Sequence, residues 1–361
     1  MLTYGAAVSR SGAGQIRTNL GQIRTKGGIH EGWVVGLPPA LAVRMPRPLR
    51  RSRPGTVHFV TDRCVESRLL LTPRSKEEVQ TLLMCLCLAS EAAPGIQILG
   101  FVQMTNHTHA VLRDTDGNSL SKFMQVFKSQ TAKRFNKLLE RSGPFWHRRY
   151  SGQEILDAAA LRARMAYLIA NPVAARQVDS WKDWGGLQLW AKDKPIIKRF
   201  RSFDAKGYNQ AREAAKKFGG PKPKKSDFVT VRKFTVHPMN DAAGDLPLGT
   251  VFLAPKMTPA KDILHRVNLL QQNAKEGQPW CKGMAAVRNE NPYKRPEKTK
   301  RSPRPLCLST CIILYTAFAK AMMALRDAYL KASKAFRSGN LTTPFPEWTY
   351  RPPGHTITAE Q

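Results

Sequence analysis

Acidic residues are scarce in this chain. Its 361 residues hold 26 Asp and Glu against 58 Lys and Arg, a formal net charge of +32 at pH 7. That imbalance argues against the usual acidic-to-neutral metabolic enzyme and points to a polyanionic partner, nucleic acid first. Long apolar runs are missing as well. The longest, Leu306 to Ala319, is broken by Ser309 and Thr310 and falls short of the roughly 20 residues a spanning helix needs, so no membrane partner is expected. The six cysteines (Cys64, Cys85, Cys87, Cys281, Cys307 and Cys311) form no C-x-x-C pair and none stands at zinc spacing from a histidine. Cys307 and Cys311, four apart in an apolar helical pattern, read as core packing. The N-terminus lacks an apolar segment followed by a cleavage site, so a reducing, cytoplasmic setting is expected. What is present suffices for a core: 42% of the residues are hydrophobic.

The chain divides by composition. Residues 1–44 are Gly-rich, hold one acidic residue (Glu31) and repeat Gly-Gln-Ile-Arg-Thr from Gly14 and again from Gly21, which reads as a flexible tail or a mis-assigned leader. Residues 45–190 carry the periodic segments. Thr56–Arg63 alternates as a strand; Lys76–Ala92 follows the caps Thr72 and Ser75 as a helix; Ile96–Met104 and His107–Arg113 read as strands about a turn at Thr105-Asn106. Ser119–Glu140 is a helix with Leu120, Phe123, Phe127, Phe135 and Leu138 on one side and Lys122, Lys128, Lys133, Arg134 and Lys137 on the other. Phe145–Ile155 reads as a strand, and Asp157 caps a last helix, Ala158–Asn171, which Pro172 stops. The order β-α-β-β-α-β-α predicts an α+β fold: a ferredoxin-like sandwich, an antiparallel sheet with helices packed on one face. Residues 191–305 read as a basic linker and accessory region, with a linker at Gly219-Gly220-Pro221 and strands at Phe228–Val236 and Thr250–Ala254. Residues 306–361 read as an accessory helix and tail, the helix beginning at Pro305 and running to Ser338.

Four residues stand out on this scaffold. His107 and His109, two apart on a strand, leave the same face, and Tyr167 and Asn171, four apart on a helix, share another. If the helix crosses the sheet, two imidazoles, a phenol and a carboxamide can meet at one metal-sized point. Each pair by itself is equally compatible with core packing.

The wording around them is more specific than the spacing. Met104-Thr-Asn-His-Thr-His-Ala-Val-Leu resembles the M-P-N-H-x-H signature of the HUH single-tyrosine transposases. Phe145-Trp-His-Arg-Arg-Tyr resembles the W-Q-x-R-Y segment of the REP-associated branch, and Tyr167-Leu-Ile-Ala-Asn-Pro-Val-Ala-Ala resembles its Y-I-x-x-N-P-V-x-A helix end. The start Met45-Pro-Arg-Pro-Leu-Arg is similar to the family's usual start. The blocks keep the family's order and span Met45–Trp190. Three positions depart from the pattern: Thr105 for Pro, Thr108 for a bulky apolar residue, and Arg176 for Gly. Thr108 is expected to loosen the sheet packing that aims the histidines.

The resemblance implies a bacterial, nucleoid-associated transposase-like strand transferase that cuts and rejoins single-stranded DNA at hairpins through a 5′-phosphotyrosine link. It assigns the nucleophile to Tyr167 and the ligands of a divalent metal, Mg²⁺ or Mn²⁺, to His107, His109 and Asn171; a homodimer is one assembly it allows. For the DNA contacts we expect Lys122, Lys128, Lys133, Arg134, Lys137, Arg148 and Arg149 on phosphates, and Trp146 as a stacking face. Tyr150, Trp181 and Trp184 are further stacking candidates. A degenerate copy that grips hairpin DNA without cutting is the alternative. An RNA-binding ferredoxin-like sheet would need aromatic strand motifs that the chain lacks.

Overall fold

The computed structural model describes residues 49, 53–247, 258–277, 280–296 and 305–356. Residues 1–44 and the strand expected at Thr250–Ala254 lie outside them. The first elements follow the sequence closely: β1 (Thr56–Arg63), α1 (Lys76–Ala92), β2 (Ile96–Gln103), β3 (His107–Asp114) and α2 (Ser119–Leu138). Local chemistry explains the sharp boundaries. Ser75 Oγ accepts from Glu78 N at 3.2 Å while Glu78 Oε2 accepts from Ser75 N at 3.0 Å, a reciprocal cap that starts α1.

The next strand is shorter than expected. β4 is Ser151–Ile155 only. Phe145 and Tyr150 are buried among the α1 and α2 side chains, and the Trp146 indole N–H donates to Lys128 O at 2.9 Å, so this stretch docks on α2 before it joins the sheet. α3 (Ala158–Ala174) begins where Asp157 Oδ1 accepts from Ala160 N at 2.7 Å. It runs through Pro172, three residues beyond the expected stop. A proline there costs one hydrogen bond in a last turn that is ending anyway. The chain leaves at Arg176, whose φ of 57° is left-handed, which explains why glycine suits that position.

The remaining elements are β5 (Gln188–Trp190), β6 (Ile196–Phe203), α4 (Ala205–Phe218), β7 (Val229–Val236), α5 (Asn240–Ala243), α6 (Pro259–Gly277), α7 (Gly283–Arg288), β8 (Cys307–Leu308) and α8 (Ile312–Arg337). One open eight-stranded sheet runs β6-β7-β2-β3-β1-β4-β8, with β5 also on β2. The sheet is antiparallel except where β7 meets β2 and β8 meets β4. It therefore does not end at Trp190. The region beyond it supplies β7, close to the strand expected at Phe228–Val236, and β6, which was not expected. The long C-terminal helix is preceded by a further unexpected strand, β8. Cys307 lies in β8 and Cys311 just before α8, so the two do not share a helix.

Both faces of the sheet are covered, which corrects the expectation of helices on one face. α1 and α2 pack on Val60, Phe101, Ala110 and Leu112. α3 packs on Val57, Phe59, Leu99 and Val111 of the opposite face, and α6 packs on α3. Gly100 makes the second layer close: a Cβ there would stand 3.0 Å from Met165 of α3. Arg162 of α3 and Arg266 of α6 both face Asp262, at 3.1 and 3.0 Å, in a nearly dry interface. Asp157 extends the same layer toward α8, because its carboxylate also accepts from Ser309 Oγ, Thr310 N and Thr310 Oγ1.

Candidate active site

The site grows out of the β1–β3 ladder. Cα partners place Thr61 opposite His109 and Arg63 opposite His107. Alternation puts His107 and His109 on the face of Val111, the face that α3 covers. Thr108 is buried on the other face, opposite Asp62 and Gln103, and so never touches the space the histidines enter.

The imidazoles meet through their outer nitrogens. His107 Nε2 and His109 Nε2 lie 3.0 Å apart, with the rings nearly perpendicular at 86°. Each ring is held from behind. Asn106 Nδ2 donates to Ser67 O, which fixes its amide and turns Oδ1 to His107 Nδ1 at 2.6 Å. Oδ1 only accepts, so His107 carries its proton on Nδ1 and offers the Nε2 lone pair. His109 Nδ1 is 2.9 Å from Thr61 Oγ1, a hydroxyl that can donate or accept. With His107 Nε2 accepting, the 3.0 Å contact calls for the His109 proton on Nε2, and Thr61 Oγ1 then donates to His109 Nδ1.

The two Nε2 atoms are close enough to share one divalent ion. Imidazoles alone suit a softer metal than Mg²⁺, and a hard ion would need oxygen ligands beside them. Mg²⁺ takes ligands at about 2.1 Å and right angles, so adjacent ones stand about 3.0 Å apart, the spacing of the two Nε2 atoms. Anchored Nδ1 atoms are what ligating histidines usually show. Among the described residues no group of three or more His, Cys, Asp and Glu gathers for a metal. Asn171, the remaining ligand that the resemblance implies, is buried on α3 one turn after Tyr167. The cysteines are unsuited: burial pushes the Cys85 and Cys87 thiols up to about 11 and Cys307 to about 12.

Tyr167 is half-buried beside the pair. Its ring stands edge-on to His109, with centroids 5.6 Å apart, and to Phe59 at 6.0 Å. Phe59 stacks on His109 at 5.1 Å. The Arg164 guanidinium lies 5.5 Å from the Phe59 ring centre and 5.7 Å from that of Tyr167, clamping the phenol's orientation. Sequence reading missed Arg164, Asn106 and Thr61. Arg164 left one signal: an arginine one turn before Tyr167 on an Ala-rich helix whose other charged residue is Arg162.

The expected DNA-contact residues separate into two groups. Lys122, Lys133, Lys137, Arg148 and Arg149 are exposed. Lys128 is committed elsewhere: its Nζ donates to the buried Asp62 at 2.7 Å and to Arg148 O at 2.8 Å, and sits over the Trp146 ring. Arg134 is half-buried. Trp146 is wedged against Phe127 and Phe145, so little of its face is left for a base. Tyr150 and Trp184 are core residues, the latter donating to Gln103 O at 2.8 Å; Trp181 is half-buried against Trp190.

Among the described residues no helix is long and apolar enough to cross a membrane. No curated protein sequence matches this chain. Among solved structures the chain is similar to a REP-associated tyrosine transposase bound to a REP hairpin, at 21% identity over 39% of this chain and 80% of that one, with a TM-score of 0.33. Residues 55–169, which hold both histidines and Tyr167, match the family described as transposase, IS200 like. The similarity to IS200-like transposases is confined to that segment.

Proposed function

We propose that this protein is a DNA strand transferase that cuts and rejoins single-stranded DNA at hairpin-bearing ends. The observation that carries the reading is the meeting of His107 and His109 Nε2 beside the Tyr167 ring, within the transposase-like segment. Hairpin-bearing DNA is the substrate class that the motif resemblance implies.

Tyr167 Oη attacks the scissile phosphorus after giving its proton to solvent. The P–O3′ bond breaks, its electron pair leaves with the 3′ oxygen, and that oxygen takes up a proton. The products are a 5′-phosphotyrosine and a free 3′-OH. Because one phosphoester replaces another, a second 3′-OH can reverse the step and join a new end without ATP. His107, His109 and Asn171 would hold Mg²⁺ or Mn²⁺, which when bound neutralises charge on the scissile phosphate. Asn106 and Thr61 keep the imidazoles facing that point, and Arg164 with Phe59 keeps the phenol turned toward it.

The test is incubation of the full chain with hairpin-containing single-stranded oligonucleotides and Mn²⁺, followed by a denaturing gel. A covalent adduct is expected. Tyr167→Phe should abolish the adduct and leave hairpin affinity within about twofold, since one hydroxyl is lost. His107→Ala should also abolish it. Adduct that persists in Tyr167→Phe but vanishes in Tyr150→Phe would overturn the assignment. Tight hairpin binding with no adduct in the parent chain would leave a DNA-binding protein that does not cut.

A further inference from the structure

The β6–β7 ribbon lies outside the transposase-like segment, and its two faces differ. Phe234 and Val236 are buried in the α1 layer, Phe200 packs beside them, and Arg232 pairs with Glu91 near the end of α1. These residues make the inner face. By alternation the outer face holds Ile197, Arg199, Arg201 and Phe203 from β6, and Val229, Val231, Lys233 and Thr235 from β7.

That outer face is unusual for one left in water. Ile197 is 50% exposed and Val231 52%. Arg199 stands directly opposite Lys233, both exposed, and Arg201 is exposed beside them. Like charges directly across an antiparallel pair destabilise it. Among the described residues no carboxylate pairs with any of the three, although the region is not without acids. Asp204 is occupied in capping α4, and Glu91 lies on the inner face. Residues 192–233 hold fourteen Lys and Arg against four Asp and Glu. The outer face also continues, through β2, the side of the sheet that carries His107 and His109, because Val236 pairs with Ile98 on the α1 side.

We propose that the outer face of the β6–β7 ribbon is a second nucleic-acid surface, which grips the sugar-phosphate backbone of a DNA duplex stem. The proposal rests on the preceding reading only in taking DNA as the polyanion. A duplex fits better than a single strand. Unpaired bases need open aromatic faces, and the outer face's one aromatic, Phe203, already packs on Tyr208. A two-stranded ribbon with a cationic centre and aliphatic flanks has the width and chemistry to lie along a duplex groove, its charges on phosphates.

The test is equilibrium binding of the full chain in EDTA, where no metal-dependent cutting occurs, to a blunt DNA duplex and to one of its strands over a salt series. The combined substitution Arg199→Gln, Arg201→Gln, Lys233→Gln should make log K against log salt shallower by about 2 to 3 on the duplex, about 0.9 per phosphate contact. Single-strand affinity should stay within about twofold, and the melting temperature should not fall, since like-charge repulsion is relieved. Val231→Lys, at an exposed position opposite Arg201, should steepen the duplex slope by about 0.9. An unchanged duplex slope in the combined variant, or an equal loss on the single strand, overturns the proposal. Equal loss of poly-glutamate binding would make this an acidic-protein site and overturn it too. None of these outcomes depends on adduct formation at Tyr167, so the two readings fail separately.

Discussion

Lys128 and Lys133 look alike in the sequence, five apart on one basic helix, yet the structure gives them different work. Lys128 neutralises Asp62, whose side chain is 2% exposed, while Lys133 faces solvent. Removing one partner of a buried pair leaves a desolvated charge, which costs about 3–5 kcal/mol when both partners are buried. Lys128 keeps part of its side chain in water, so Lys128→Ala should cost about 2–3 kcal/mol, read as a lower urea midpoint at unchanged slope. Lys133→Ala should leave the unfolding free energy within about 0.5 kcal/mol and, if it contacts DNA, flatten the single-strand salt slope by about 0.7. Equal stability of the two variants would show that the Asp62 pair contributes nothing. The same contrast explains what could be read at the site. The shared face of His107 and His109 is a period-two fact and visible in one strand. Thr61 is invisible there, because its place behind His109 depends on the β1–β3 register. Asn106 is adjacent to His107 in sequence, but its role depends on the Ser67 carbonyl, 39 residues away.

At the scale of elements, boundaries were legible wherever a local device sets them and lost where tertiary packing does. Ser75 and Glu78 announce α1, and Asp157 announces α3. β4 reads too long because Phe145 and Trp146 have strand-like wording but dock on α2. β8 was unreadable, since two residues acquire strand geometry only by pairing with Glu154 and Ile155. The end of α3 gives a prediction of its own. Arg176 holds φ at 57°, a region that costs a residue with a Cβ about 1–2 kcal/mol. Glycine removes that strain but loses more chain entropy on folding, by roughly 0.4–1 kcal/mol. Arg176→Gly should therefore raise stability by about 0.5 kcal/mol, seen as a small rise in melting temperature. A clear fall would mean that the Arg176 side chain holds the α3 end in place, outweighing the backbone term.

Taken whole, the molecule does not divide where its composition does. A protein cut at Trp190 keeps every residue of the His107–His109–Tyr167 constellation, so from the sequence it looks self-sufficient. The packing says otherwise. Phe234 and Val236 belong to the core on the α1 side, and Ile263, Val267, Val287 and Leu308 to the core on the α3 side. Burying each large aliphatic or aromatic side chain contributes about 1.5–3 kcal/mol, while a folded domain has only about 5–15 kcal/mol in hand. The cut also strips Asp262 from Arg162, leaving a nearly dry guanidinium without its carboxylate, and takes Ser309 and Thr310 from the Asp157 cap. Residues 45–190 alone should therefore lose cooperative unfolding, with a broad urea transition and enhanced binding of a hydrophobic dye. A protein ending at Ser338 keeps all these contacts and should melt sharply. Should the 45–190 piece unfold as cooperatively as the full chain, at a midpoint within experimental error, the later strands and α6 would be appendages on a finished domain. In that event the β6–β7 ribbon could be removed without disturbing the site, and its effect on DNA binding would be measurable by deletion as well as by substitution.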